Sequence, residues 1–489
     1  MHKSVIINFI GGAWLGILIV LTTPWFVSDL GLEGFALVGI WQLLFYFALI
    51  FDFGLGAACA RELSRSTGLN PGRARYRSLL AVFERPIVSV GVVLSLLIAV
   101  AAPWVAESWL NVRGYQEEEV TVIIRLMAVS VGLQFIAAFH LNALAGMQRM
   151  VAMNAVQIFN NSMRYLGGSV VLLLADGIVG FFVFQVLAAL LGLALARWAV
   201  FRAVASVAEV DVPPQYADSG VSLKKYMAFS GGMFFTALCG ALLTNADRLV
   251  VSRMMSAEAL GHYSIALTAI GLLQTLVFAF HRAYFPRFAQ LHAAGESERL
   301  KRVYEQACAL VGLILVPVGL LFAVFAPEIY TVWLGWTDTD AVLVSRLLVL
   351  GFVLSGVMWL PAAYQQAIGW TRMHATLMAV TVLCGVPLLV LLIARFGLPG
   401  AAALMLLHGF VEITLGLWLM NRVCFPGANL RWYRDVLLTP LVMALPVVLL
   451  SRFLLPPDLG RVALGGWVGG TCVALALGVA AARRFGRTR

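Results

Sequence analysis

Residues 125–150, RLMAVSVGLQFIAAFHLNALAGMQRM, open on an arginine inside an apolar run and close on Gly146-x-x-Arg149-Met150. Residues 346–373, RLLVLGFVLSGVMWLPAAYQQAIGWTRM, do the same and close on Gly369-x-x-Arg372-Met373. The copies are offset by 221 residues at their arginines (125 to 346) and by 223 at their glycines (146 to 369). Three further matches share the period. Ala102-Pro103 with Trp109-Leu110 returns as Ala326-Pro327 with Trp333-Leu334, offset 224. Gly177-x-x-Gly180 returns as Gly397-x-x-Gly400, and Arg202 as Arg422, both offset 220. Ordered matches at a nearly constant offset read as one unit written twice.

Apolar runs of about 20 residues recur along the chain, each long enough to cross a bilayer core of about 30 Å as a helix. Charged residues make up 12% of the sequence and mean hydropathy is +0.92; a soluble domain carries roughly twice that share of charge. The expected fold class is all-α, a polytopic membrane protein of about 14 spans. The spans fall near 5–27, 36–59, 81–105, 120–146, 154–175, 180–201, 226–252, 259–282, 304–326, 341–367, 375–395, 400–420, 436–455 and 461–481. Spans 1–6 form a first lobe (1–203), 204–224 a linker, spans 7–12 a second lobe (225–422), and 423–489 two more spans and a basic tail. An even number of spans per lobe makes the two parallel in the membrane, a plan common among secondary transporters.

The net charge of +10 invites a nucleic-acid reading, which the distribution argues against. Lys and Arg crowd alternate connectors, as the positive-inside pattern requires, and attraction to anionic lipid accounts for much of the rest. Both termini are expected on the cytoplasmic side of a bacterial inner membrane. The first apolar run is too long for a signal-peptide core and reads as an uncleaved span. Six scattered cysteines with no CxxC or metal-ligand spacing give no expectation of a disulfide or zinc site. There is no P-loop, HExxH or GxSxG, so neither ATP hydrolysis nor those hydrolase chemistries are expected.

A charge at mid-bilayer costs at least about 2.5–3.5 kcal/mol, so it should face protein or water. Arg164 lies near the middle of span 5. Gln157, Asn161 and Arg164 follow at steps of +4 and +3 and share one helical face. Amides suit hydroxyl-rich ligands and a guanidinium fork suits phosphate; an interhelical hydrogen-bond seam is the alternative. Arg125 and Arg346 stand near the outer ends of spans 4 and 10, either at a shared mouth or snorkelling to the interface. Asp247-Arg248 reads as an ion pair in span 7, structural or functional. Asp52, before Phe53-Gly54-Leu55-Gly56, marks either a broken helix at an ion site or a polar anchor. His408 and Glu412 stand one turn apart in span 12, either exchanging a proton or joined by a local hydrogen bond.

Residues 30–63 (LGLEGFALVGIWQLLFYFALIFDFGLGAACAREL), 244–266 (TNADRLVVSRMMSAEALGHYSIA), 283–296 (AYFPRFAQLHAAGE) and 325–335 (FAPEIYTVWLG) resemble bacterial polysaccharide and O-antigen flippases of the multidrug/oligosaccharidyl-lipid/polysaccharide exporter superfamily. The resemblance covers spans 1–12. It implies six plus six helices around a V-shaped cavity, and an undecaprenyl-pyrophosphate-linked oligosaccharide moved to the periplasmic leaflet by alternating access. The family's cationic cavity maps onto Arg164, then Arg125, Arg248 and Arg346. Candidate ion-coupling residues are Asp52, Asp247, Glu412 and His408, with a proton or sodium ion and no other cofactor expected. Expected partners are the lipid-linked oligosaccharide and membrane lipid, with a glycan polymerase and a chain-length regulator as protein partners; nucleic acid is not expected. Lipid II flippases are less similar, because spans 1 and 2 lack internal Lys or Arg and Arg282 only ends span 8. A cation/drug antiporter on the same fold would favour an acidic cavity, whereas the buried charges here lean basic. A membrane glycan polymerase or ligase would need a larger outer loop than any here.

Overall fold

The structure, a computed structural model, describes residues 2–69, 73–174, 177–207 and 223–487. Most of the expected linker 204–224 therefore lies outside the described residues, as does Arg489. Among the described residues every regular element is helical. Eleven helical stretches are long and apolar enough to cross a membrane. One of them, Trp14–Asp52, takes in two expected spans; expected spans 5 and 7 fall on helices outside those eleven. By internal contacts the chain divides into Met1–Gly261 and His262–Arg489.

The first unit contains α1 (His2–Ala48), α2 (Leu55–Leu69), α3 (Arg73–Trp104), α4 (Glu117–Gly146), α5 (Met150–Ser162), α6 (Gly168–Leu174), α7 (Ile178–Ala205) and α8 (Leu223–Met254). The corner between expected spans 1 and 2 is Gly31, at φ 69°, a region closed to most side chains. Span 2 ends at Asp52 rather than near 59. Beyond it, α2 buries Leu55, Cys59 and Leu63 along one stripe and turns Arg61 and Arg65 outward, the spacing of an amphipathic helix. The basic connector is thus partly a helix packed on α3 and α4. Glu117, Glu118 and Glu119 occupy the first turn of α4, where the helix dipole favours negative charge.

In the second unit, helices Ala257–Ala293, Ser297–Val324, Ala326–Leu334, Thr339–Gly356, Trp359–Ala367, Thr371–Phe396 and Leu398–Val411 are followed by a hairpin, Thr439–Phe453 and Arg461–Arg487. The hairpin shares the core of this unit: Ala444, Val448 and Leu475 close around Leu321 and Phe325. Its two arginines at the turn, Arg452 and Arg461, are occupied. Arg452 pairs with Glu328, and Arg461 donates to the carbonyls of Val332 and Trp333, the orphan acceptors at a helix C-terminus.

The repeat is visible element by element. α4 packs along α7, and Thr339–Gly356 packs along Leu398–Val411. Gly177 (φ 105°) and Gly397 (φ 62°) each stand immediately before the second helix of the pair. After α4 the chain turns through Gln148 (φ 58°) and resumes at Met150; in the second unit it turns through Gly369 (φ 77°) and resumes at Thr371. Both pairs are 221 apart, so the Gly146–Gly369 match at 223 is two residues out of register. The two glycines do different work. A Cβ on Gly146 would sit 2.5 Å from the Ala60 carbonyl oxygen, so Gly146 lets α4 touch α2, whereas Gly369 makes the turn.

Candidate functional site

Expected span 5 is not one regular helix. α5 passes into a π-helical turn, Met163–Gly167, before α6, and Arg164 stands in that turn. Such turns widen the helix by one residue, leave carbonyls short of partners, and recur at functional sites. Here Gln185 of α7, 1% exposed, donates its amide to the Arg164 carbonyl at 2.9 Å. Ser162, one residue ahead of the turn, accepts from Trp14 Nε1 at 2.9 Å, and Tyr165 stacks on Phe26 at 6.4 Å. The distortion is held in place by α1 and α7.

The Arg164 side chain is half-buried and seated on an aromatic face, its guanidinium carbon 4.5 Å from the Trp41 ring centre and 6.0 Å from that of Tyr165. A desolvated contact of this kind contributes on the order of 2 kcal/mol. Gln42, next to Trp41, donates to Tyr165 Oη at 3.4 Å. Arg164 has no carboxylate partner among the described residues, and its Nε is buried without an acceptor. The Nδ2 of Asn161, 8% exposed, and the Oδ1 of Asn160 are likewise buried and unpartnered. Gln157 is half-buried. The face that the sequence reads as an amide-and-guanidinium stripe therefore holds an uncompensated cation and open amide valences, flanked by two aromatic rings.

Arg248 of α8, also half-buried, joins Arg164 and Tyr46 in acting electrostatically on the Tyr165 phenol. Arg164 and Arg248 are the two cations that bear on Tyr165. Asp247 accepts the backbone N–H of Arg248 at 2.8 Å.

Each of the other expected residues has surroundings of its own. Arg125 is exposed and lines an open pocket of about 360 Å³ together with Glu107, Glu117 and Glu118. Its counterpart Arg346 donates Nε–H to the Ala323 carbonyl at 2.8 Å and so ties off the end of Ser297–Val324. The paired arginines of the repeat have different surroundings. Asp52 accepts the Gly56 N–H through both oxygens, at 2.9 and 3.1 Å, satisfying a first-turn donor of α2 after a left-handed Phe53 and Gly54 (φ 48° and 73°). Asp52→Ala is expected to cost about 1 kcal/mol of stability, read as a lower unfolding temperature in detergent, with Arg164 unaffected. His408 Nε2 and Glu412 Oε1 stand 3.6 Å apart, and Glu412 opens another π-helical turn, Glu412–Gly416.

Trp41, Tyr165, Gln42 and Gln185 complete the Arg164 site and were not singled out from the sequence. Aromatic residues there read as span filler or interfacial belt, because a ring's partner on another helix leaves no trace in local spacing.

Comparison with known proteins agrees with this architecture. The polysaccharide biosynthesis protein family matches residues 1–292, and the MatE family residues 233–391. A Shigella flexneri protein assigned by inference as an O-antigen transporter is 23% identical over 431 residues, covering 86% of this chain and 98% of its own. A Haloferax volcanii protein assigned in the same way as a low-salt glycan biosynthesis flippase is 23% identical over 380 residues, 77% of this chain and 74% of its own. Among solved structures, the lipid II flippase MurJ in an inward closed conformation aligns over 99% of both chains with a TM-score of 0.69 and 13% identity, a likeness of fold. With the family match running over more than half its length, this multi-pass chain belongs to the polysaccharide biosynthesis protein family.

Proposed function

We propose that the protein is a secondary transporter, not an enzyme, that flips an undecaprenyl-pyrophosphate-linked oligosaccharide, one repeat unit of an O-antigen or exopolysaccharide. Movement runs from the cytoplasmic to the periplasmic leaflet of a bacterial inner membrane by alternating access, coupled to a proton or sodium gradient. The observation that carries this reading is the Arg164 guanidinium, held at mid-span on Trp41 with no acidic partner among the described residues. A cation kept in so costly a position calls for an anion from outside the chain. Its fork suits a pyrophosphate, while the open amides of Asn160 and Asn161 suit the hydroxyls of a sugar. Arg248, whose charge bears on the same Tyr165, is the second cation assigned to the diphosphate. The names of the S. flexneri and H. volcanii relatives support the same substrate class.

Deleting the gene is expected to build up the lipid-linked oligosaccharide on the cytoplasmic face, measured as sugar on extracted polyprenyl lipid that stays inaccessible from outside. Unaltered lipid-linked pools with normal surface glycan would exclude the substrate. A deletion strain whose only change is susceptibility to cationic drugs would favour the antiporter reading instead.

A further inference from the structure

Glu84, His140 and Arg197 form an ionisable cluster inside the first unit that the Arg164 site does not use. They come from α3, α4 and α7. His140 Nε2 lies 3.4 Å from Glu84 Oε1, and Arg197 Nε lies 3.3 Å from the same oxygen. The His140 side chain is 3% exposed, Glu84 20% and Arg197 54%. The cluster is therefore closed around the imidazole and open at the arginine.

The far side of the ring decides its protonation. Nδ1 lies 2.9 Å from the Ile136 carbonyl oxygen. A carbonyl only accepts, so Nδ1 carries hydrogen. In the neutral ring Nε2 would then present a bare lone pair to a carboxylate oxygen, and the two would repel. One added proton between Nε2 and Oε1 turns that repulsion into a hydrogen bond. Arg197 steadies the carboxylate through the same oxygen, so an added proton sits on the ring rather than on Glu84, against the cost of charging a ring that is 3% exposed.

Glu84 and Arg197 are the charged groups that bear on the ring. The acids of other elements around α4 are engaged elsewhere. Asp52 holds the Gly56 N–H, Glu62 faces Arg61 at 3.9 Å, and Glu33 accepts from the Arg113 and Gly114 N–H groups. Glu117, Glu118 and Glu119 lie at the opposite end of α4, Arg85 is exposed, and Arg149 reaches Ser206.

We infer that Glu84, His140 and Arg197 form a one-proton binding site that ties α3 and α7 to α4 when occupied. On release, the Nε2–H bond breaks, the proton leaves past Arg197, and the ring is left neutral beside an arginine-paired carboxylate. The Glu84–Arg197 pair survives and the His140 link is lost. Its role in coupling rests on the proposed transport reading; its chemistry does not.

The test uses the full-length protein in lipid nanodiscs with ¹⁵N-labelled histidine, His140 being assigned by its absence in His140→Gln. The expected result is a ring protonated on both nitrogens at mildly acidic pH that loses the Nε2 proton in one step as pH rises. In Glu84→Gln the doubly protonated signal should be lost at a pH where the native protein shows it in full. A native ring that stays neutral throughout, or a Glu84→Gln ring that titrates as before, overturns the site, and the native titration decides even where the variant does not fold. Glycan export in cells is a separate readout: its dependence on cytoplasmic pH should flatten in Glu84→Gln. A Glu84-dependent titration in a protein that moves no glycan supports the proton site and sinks only the transport reading. The same titration with unchanged pH dependence of export overturns the coupling role.

Discussion

Arg164→Gln in the full-length protein is expected to cut delivery of lipid-linked oligosaccharide to the outer leaflet by roughly 10²–10⁴-fold. Two charge-assisted hydrogen bonds to a diphosphate contribute roughly 1.5–3 kcal/mol each, and each 1.4 kcal/mol is about tenfold. Gln keeps an amide donor of similar reach but loses the charge and the fork. Arg164→Lys restores the charge alone and should recover only part of the rate, since an ammonium cannot bridge two oxygens as a planar guanidinium does. Trp41→Phe retains a face for the cation and should be milder than Trp41→Leu, which removes it. Export is read as surface glycan per inserted transporter, with detergent-solubilised protein checked for a native unfolding transition. Wild-type export by a correctly inserted Arg164→Gln protein would take this residue out of the mechanism.

What the sequence made legible follows from the physics of the bilayer. Lipid forbids unpaired backbone, so apolar length reports helices directly, and the helical, multi-pass class could be read from the chain alone. Charge at depth is costly, so Arg164 stood out. The terms that decide each charge's use were not legible, because they depend on which helix comes alongside. Asp52 reads equally as an ion ligand or a polar anchor, and only the fold shows the Gly56 N–H shared between its oxygens. Arg346 looks like the twin of Arg125 until the Ala323 carbonyl takes its Nε–H. Glu84 sits one residue from Arg85 near a basic connector and reads as a span end; only the fold sets it against His140, 56 residues away in sequence. The π turn at Arg164 was equally hidden, since the polar steps 157, 161 and 164 fit a regular helix and the widening begins at Met163.

Gly351→Ala and Gly409→Ala should each unfold or strand much of the second unit, although a single methyl is a small change. The two residues lie where Thr339–Gly356 crosses Leu398–Val411. A Cβ on Gly351 would stand 2.6 Å from the Leu406 nitrogen, and one on Gly409 2.6 Å from the Gly351 carbonyl oxygen. Those neighbours are backbone and cannot swing aside, so the helices must separate. Ordinary overpacking costs about 1–3 kcal/mol, and a backbone clash at the main crossing of a unit should reach or exceed the top of that range. The repeat supplies an internal control. At offsets of 221 and 220 the first unit carries Ser130 and Ala189, 0% and 4% exposed, with Ser130 Oγ donating to the Gln185 carbonyl at 3.4 Å. There α4 and α7 already have side chains between them, so Ala189→Gly should cost about 1 kcal/mol of helix propensity, and Ser130→Ala, which keeps the spacing, about 1–3 kcal/mol for the buried Gln134 Nε2 that loses its acceptor, with no separation of the helices in either. Thermal unfolding and the monodisperse fraction in detergent compare the two pairs. Equal losses in both units would mean that the crossings are equally close and that the glycines of the second unit serve some end other than contact.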